Sequence, residues 1–448
     1  MIILDQTIVN VALPAIQADL GFSAAGLAWV VNAYLIAFGG LLLLAGRVGD
    51  LIGRRQVFLS GLALFTLASL LCGLATSPEM LIAARFAQGV GGALGSAVIL
   101  GMIVTLFPEP GEQARAIGVF GFVGAAGASI GLLAGGVLTQ ALDWHWIFFV
   151  NVPIGVAVWM LAVRLLEPEQ GLGWRAGADV PGAVLVTAAL MLGVYTIVDA
   201  HSWSLGGLAA ALLAAFVARQ AVAARPLLRL ALLRSRDVAG ANLAQMLAVA
   251  GMLGMFFLAV LYLQRVLGFD ALQTGLGFLP VSVTIGAFSL GLSARLITRF
   301  GARTVILPAL ALTAAGLAFL SRAPVDGHYF VDVFPALVLM GIGVGLMIPA
   351  LMTLAMAGVA PEDSGVASGL VNTTQQVGGA FGIAVLASVA SSRSGAAPDA
   401  AALVDGYQLA FQVAAGLVVA ATVVATLVLR RRPARDEAAA PEAAVVTT

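Results

Sequence analysis

Thirteen stretches of this chain are apolar over the length that crosses a bilayer, and no soluble fold accommodates so many. They run at roughly 27–46, 57–76, 80–107, 116–138, 147–166, 180–198, 205–223, 237–263, 276–294, 304–321, 332–358, 366–390 and 407–429; a membrane helix needs about 20 mostly apolar residues. A fourteenth stretch, 1–18, opens the chain. The connections are short and carry nearly all the charge. Only 10% of the residues are charged and 61% are apolar, where a soluble domain carries about 25% charged residues. The sequence therefore predicts an all-α integral membrane protein with fourteen transmembrane spans, in contact with a lipid bilayer and without a separate soluble domain.

Several function classes fall away. The 22 basic residues, all Arg, balance 22 acidic ones, so there is no basic field to bind nucleic acid. A single cysteine, Cys72, excludes an intramolecular disulfide and a Cys-based metal cluster. No Walker loop is present, so neither a nucleotide nor a cofactor is expected. GASIG at 127–131 matches a nucleophile elbow, but it lies within a helix and no His falls in a span. His145, His201 and His328 all fall in predicted external loops, and an enzyme is not expected. No basic segment precedes the first span, so no signal peptide is expected.

Alternating the loops across the membrane places Arg265, Arg322 and Arg393 on one side. Arg85 lies inside a span, and the other eighteen of the 22 basic residues share the opposite side. By the positive-inside rule that side is cytoplasmic, and with fourteen spans both termini are too. The location expected is the cytoplasmic membrane.

The chain also repeats itself. GRVGDLIGRR (46–55) aligns with ARLITRFGAR (294–303), setting Gly53 on Gly301, Arg47 on Arg295 and Arg55 on Arg303. PEPGEQARA (108–116) pairs with PEDSGVASG (361–369) at nearly the same offset. Residues 1–166 and 237–429 then form two six-helix bundles. Residues 167–236 are two inserted helices with a cytoplasmic linker, and 430–448 are a disordered cytoplasmic tail. Two repeats about an axis normal to the membrane suit a transporter that rocks around a central site.

Few residues could carry chemistry. Asp5, in LDQTIVNVALP (4–14), is an acid inside a span, at a cost of about 2.5–3.5 kcal/mol at the centre of a membrane helix. A helix from Met1 to Ala18 reaches only about 27 Å. Either Asp5 therefore lies near the inner surface, or the chain continues upstream of Met1; the second reading is favoured. Arg85 must face the bundle interior and be paired, either tuning Asp5 or clamping helices. Counted from the outer helix ends, the two are staggered by roughly 10 Å, so a long Arg or a water would have to couple them. Gly46, Gly49, Asp50, Gly53, Arg54 and Arg55 combine tight turns with an acid facing two cations, which fits a conformational latch. Gly127, Gly131, Gly135 and Gly136 line the fifth span for close packing or as a hinge. Asn242, Gln245, Asn372, Gln375 and Gln376 either bond across helices or line a substrate cavity.

These motifs resemble those of the major facilitator superfamily, and more narrowly its fourteen-helix drug:proton antiporter family, over nearly the whole chain. LDQTIVNVALP resembles the first-helix signature, which implies proton coupling at Asp5. GRVGDLIGRR resembles the loop motif between helices 2 and 3. LIAARFAQGVGGA resembles the fourth-helix motif, with its buried Arg at Arg85. WHWIFFVNVPIG (144–155) resembles the entry to helix 6, with His145 where Arg is more usual. The fifth-helix antiporter motif is matched at Gly131, Gly135 and Gly136, with Leu132 where Pro is usual. The resemblance implies efflux of small amphipathic organic compounds such as drugs, in exchange for protons, with the proton gradient as energy source. A dedicated exporter of one metabolite or lipid, and a non-transporting sensor or embedded enzyme, are the alternatives.

Overall fold

The computed structural model describes residues 1–429 apart from 24, 108, 170, 174–176, 201, 358, 360–363 and 396–398. The tail at 430–448, His201 and the opening of the 361–369 segment lie outside the described residues. Among those described there is no strand, and long helices form at fourteen places. They are α1 (Ile2–Leu20), α2 (Ala28–Ile52), α3 (Arg54–Gly73), α4 (Pro78–Leu106), α5 (Pro110–Ala141), α6 (Trp146–Leu165) and α7 (Val180–Ala200). There follow α8 (Trp203–Val222), α9 (Arg236–Arg265), α10 (Ala271–Phe300), α11 (Ala302–Leu320), α12 (Tyr329–Ala355), α13 (Ser364–Ser394) and α14 (Ala400–Val428).

Twelve of these helices are long and apolar enough to cross a membrane. The two outside that set differ in cause. Asp5, Gln6, Asn10, Gln17 and Asp19 make α1 polar for its 19 residues. In α5 the described apolar stretch is only Ile130–Ala141. Among the described residues twelve helices thus qualify as spans, and the fourteen that the sequence predicts are not confirmed.

Local chemistry sets the boundaries. Ser77 caps α4, its hydroxyl accepting from the Met80 amide at 3.2 Å, with Pro78 in the first turn. Asp270 and Gln273 form a reciprocal capping box at the start of α10. In α6 the helix is interrupted at Val150, because Pro153 has no N–H to donate to the carbonyl four residues back.

The helices pack as two matching sets. In the first, α1 packs on α5, α2 on α4, and α3 on both α4 and α6; in the second, α9 packs on α13, α10 on α12, and α11 on both α12 and α14. The aligned loops behave alike as well. Gly53 (φ +98°) and Gly301 (φ +80°) are both left-handed hinges between consecutive helices. Arg55 donates to the Val163 carbonyl at 2.9 Å and Arg303 to the Thr426 carbonyl at 2.7 Å. Each Arg thus caps the last turns of the sixth helix of its own set, where cations also favour the helix dipole.

The halves meet along two seams, α2 against α13 and α5 against α10. The inserted helix α7 lies over the first seam. It touches α2 where Thr187 faces Gly40 and touches α13 where Phe381 faces Gly193. Trp29 of α2 also donates to Asp199 of α7 at 2.7 Å. Helix α8 packs on the outside of α7. At the linker, Asp179 accepts from Arg219, Gln220 and the Gly182 amide. Burial pushes that carboxyl up, but these donors outweigh it and hold its pKa below the usual carboxylate value.

One end of the bundle carries the turn between α1 and α2, and the other carries Gly53. At the turn end the halves are sewn together. Gln264 of α9 donates to the Val11 carbonyl of α1 at 2.8 Å. A Cβ on Gly136 would meet the Ala271 carbonyl at 2.7 Å, and one on Gly275 would meet the Leu132 carbonyl at 2.6 Å.

Candidate functional site

Asp5 and Arg85 are in direct contact. The Arg85 Nη1 donates to Asp5 Oδ2 at 2.6 Å, and the two side chains are 1% and 0% exposed. Of the two couplings expected, the long Arg makes the contact directly, although the predicted stagger remains. Asp5 lies fifteen residues before Leu20 and Arg85 seven after Pro78, a difference of about 12 Å of helix rise. The length of the Arg side chain and unequal helix ends take this up. Asp5 lies in the first turn of α1 and is fully buried, with partners on α4 and α6 and, behind Gln88, Ser69 of α3.

Further partners surround both groups. Gln88 follows Arg85 by three positions and so shares its helix face. Its Nε2 donates to Asp5 Oδ1 and to Ser69 Oγ, both at 2.8 Å, and its Oε1 accepts from Arg85 Nη1. Asn151 sits just past the break in α6 and donates to Asp5 Oδ1 at 2.9 Å. Arg85 Nε donates to the Val30 carbonyl at 2.9 Å, and the guanidinium lies 4.6 Å from the Tyr34 ring centre and 5.7 Å from that of Phe148. The carboxylate thus receives three donors and the cation two aromatic faces. This is the satisfaction a buried ion pair requires to persist.

Sequence reasoning misses Gln88, Asn151 and Ser69. The signal for Gln88 is its spacing from Arg85 within ARFAQG. For Asn151 it is a lone amide in an apolar run, the same feature that marks Asn242.

The glycine stripe of α5 holds α1 in place. A Cβ on Gly135 would meet the Ile8 carbonyl at 2.6 Å, and one on Gly131 the Leu4 carbonyl at 2.7 Å, while Gly127 has nothing nearer than 3.8 Å. Gly136 instead faces α10. Three of the four glycines permit close approach, and two of them position the helix that carries Asp5.

The 46–55 segment is more helical than its sequence implies. Gly46, Gly49 and Asp50 belong to the last turns of α2, because that helix continues to Ile52, and only Gly53 makes the turn. Gly49 lets Val98 of α4 approach so closely that a Cβ there would lie 2.5 Å from it. Arg54 donates to the Gly101 carbonyl at 3.1 Å and to Thr105 at 2.7 Å. Asp50 is 3.9 Å from both Arg47 and Arg54 and its side chain is 44% exposed, so its ion pairs contribute at most about 1 kcal/mol. Over the turn lies the segment after α6, with Leu172 and Gly173 donating to the carbonyls of Asp50 and Leu51. Gly53→Ala would place a methyl 2.5 Å from the Glu169 carbonyl at a backbone angle that L residues avoid. It is expected to destabilise by at least about 1–3 kcal/mol, read as a lower thermal midpoint of the purified protein. An unchanged midpoint would mean the turn relaxes freely.

The amides of the second half divide. Asn242 accepts from Thr374 at 2.9 Å, and Gln245 donates to the Val371 carbonyl at 3.3 Å; both are buried and knit α9 to α13. Asn372 is exposed and, among the described residues, donates to its own helix, at Ser368. Gln376 packs against Gly39 of α2, and Gln375 beside it is half-buried. The structure does not bring these five into one site with Asp5.

Comparison with known proteins agrees with this arrangement. The Major Facilitator Superfamily model matches residues 1–383. The puromycin resistance protein pur8 of Streptomyces alboniger is 40% identical over 98% of this chain and 90% of its own. The cephamycin export protein CmcT of Amycolatopsis lactamdurans is 41% identical over 92% of this chain and 86% of its own. The tetracenomycin C resistance and export protein of Streptomyces glaucescens is 35% identical over 88% and 74%. Among solved structures, an inward-facing, unoccupied bacterial homolog of the human lysosomal transporter Spinster superposes with a TM-score of 0.69 at 15% identity, covering 95% of this chain and 94% of that one. The nucleoside transporter NupG gives 0.64 at 13% identity, over 96% and 98%. Paired six-helix sets, aligned loop hinges and these matches have one meaning: the chain is a multi-pass membrane transporter and belongs to the Major Facilitator Superfamily.

Proposed function

We propose that this transporter exports small amphipathic organic compounds of antibiotic type across the cytoplasmic membrane in exchange for protons. In this reading all fourteen helices span the bilayer, both termini are cytoplasmic, and the sewn turn end faces outward. The observation that carries the reading is the sealed Asp5–Arg85 pair, in a chain whose relatives are named for antibiotic resistance and export.

Asp5 carries the exchangeable proton and Arg85 holds its charged form. Protonating Asp5 cancels the ion pair and leaves Arg85 buried without its counter-charge. Breaking a buried pair costs about 3–5 kcal/mol. Moving a two-state equilibrium from 1:99 to 99:1 takes about 5.5 kcal/mol. One proton is therefore close to the size needed to reverse the preferred access state. The four enclosing helices all belong to the first half, so a proton reaches the carboxylate only when they part from one another. Helix α1 also accepts from Gln264 of the second half, which is the link by which rocking of the halves would drive that parting.

Everted membrane vesicles containing the protein provide the test. With an acid interior they are expected to take up ethidium, and to release it when nigericin collapses the gradient. Uptake equal to that of vesicles lacking the protein, or insensitive to nigericin, would overturn proton-coupled efflux.

A further inference from the structure

A second polar site lies at the turn end, well away from Asp5. A cavity of about 330 Å³ opens there between the two halves, with Gln17 of α1 on one side and α9, α13 and α14 on the other. Phe257, Leu261 and Leu403 give it apolar walls. Its polar groups are Arg265, Tyr407, Ser391 and Ser394, besides Gln17.

Two of these groups are short of partners. Arg265 ends α9 half-buried, and among the described residues no carboxylate lies within ion-pair distance of it. Arg393 and Asp405 pair with each other at 4.0 Å on exposed side chains. Tyr407 is 3% exposed. Its hydroxyl adjoins Arg265 in loose hydrogen-bonding contact, and no well-aligned partner completes it among the described residues. A half-buried cation whose neighbouring polar group is a poorly aligned hydroxyl is costly unless an anion completes it. An apolar pocket with a few convergent polar groups is the usual form of a small-molecule site.

We infer that this cavity binds an amphipathic organic anion, its carboxylate on Arg265 and Tyr407 and its apolar body against Phe257, Leu261 and Leu403. A neutral ligand would leave Arg265 uncompensated, and an inorganic anion would leave the apolar walls wet. Arg offers a planar fork of donors matched to a carboxylate, and Tyr407 supplies a third donor. Since Gln17 belongs to the first half and the remaining wall to the second, separation of the halves at this end dismantles the site. Its occupant is therefore bound while the turn end is closed and released when it opens. As an exit-side station for cargo, it rests on the export reading above.

The test is equilibrium binding of a fluorescent carboxylate, dansylglycine, and of its neutral analogue, dansylglycinamide, to full-length protein in phosphatidylcholine nanodiscs. Dansylglycine is expected to bind at least about tenfold more tightly than the amide, and Arg265→Gln to remove that preference by weakening the acid alone. Tyr407→Phe, which keeps the ring packing, is expected to weaken the acid about threefold. Equal affinity for acid and amide, or an unchanged Kd for the acid in both variants, would overturn the site. Binding is read with no gradient imposed, so failure of proton coupling and failure of this site give separate results.

Discussion

Asp5→Asn is expected to abolish gradient-driven efflux and also to lower the stability of the protein by about 3–5 kcal/mol, because Arg85 then sits buried without a counter-charge. Loss of transport alone would be ambiguous, since a damaged fold also stops transport. The double variant Asp5→Asn with Arg85→Met separates the two causes. It removes both charges, and replacing a buried ion pair with apolar or neutral groups is often neutral to stability. The double variant is therefore expected to regain most of the thermal midpoint lost by Asp5→Asn while remaining unable to couple efflux to protons. Recovery of efflux together with stability would show that Asp5 is a structural clamp and that protons are carried elsewhere. Additive losses would show that Gln88 and Asn151 hold Asp5 independently of Arg85.

The second large effect concerns the glycines of α5. Gly135→Ala is expected to destabilise by about 1–3 kcal/mol or more, because the new methyl meets the Ile8 carbonyl at 2.6 Å and backbone cannot swing aside as a side chain can. The only relief is to move α1 outward, which draws Asp5 away from Arg85, so transport is expected to fall with stability. Gly127→Ala, two turns earlier on the same stripe, is the control. Its methyl would meet nothing closer than 3.8 Å, and Ala favours helix over Gly by up to about 1 kcal/mol. That variant is expected to be as stable as the parent or more so. Equal behaviour of the two in thermal unfolding and dye efflux would refute the close-packing role of Gly135.

Much of this was legible in the sequence because the physics is local. Apolar runs located the helices, since lipid allows few alternatives. Gly53 and Gly301 aligned because both take a backbone conformation that other residues avoid. Asp5 and Arg85 stood out individually as charges in apolar surroundings. Their direct contact did not, because counting rise from helix ends assumes that the ends are flush, and α1 is not flush with α4. Gln88 and Asn151 were hidden for another reason. A neutral amide signals nothing until the facing helix is known, and the same ambiguity left Asn242 and Gln245 undecided. The continuation of α2 to Ile52 was missed because glycines and charges read as a loop, although tertiary contact with α4 keeps them helical.

The placement of α7 and α8 has a consequence for how cargo arrives. Of the two seams between the halves, the one along α2 and α13 is roofed by α7, with Trp29 and Asp199 pinning the roof at one end. Among the described residues no inserted helix packs over the seam along α5 and α10. On the export reading proposed above, that uncovered flank is where a compound dissolved in the lipid would enter once the halves part, which would make the protein a one-doored chamber with respect to the bilayer.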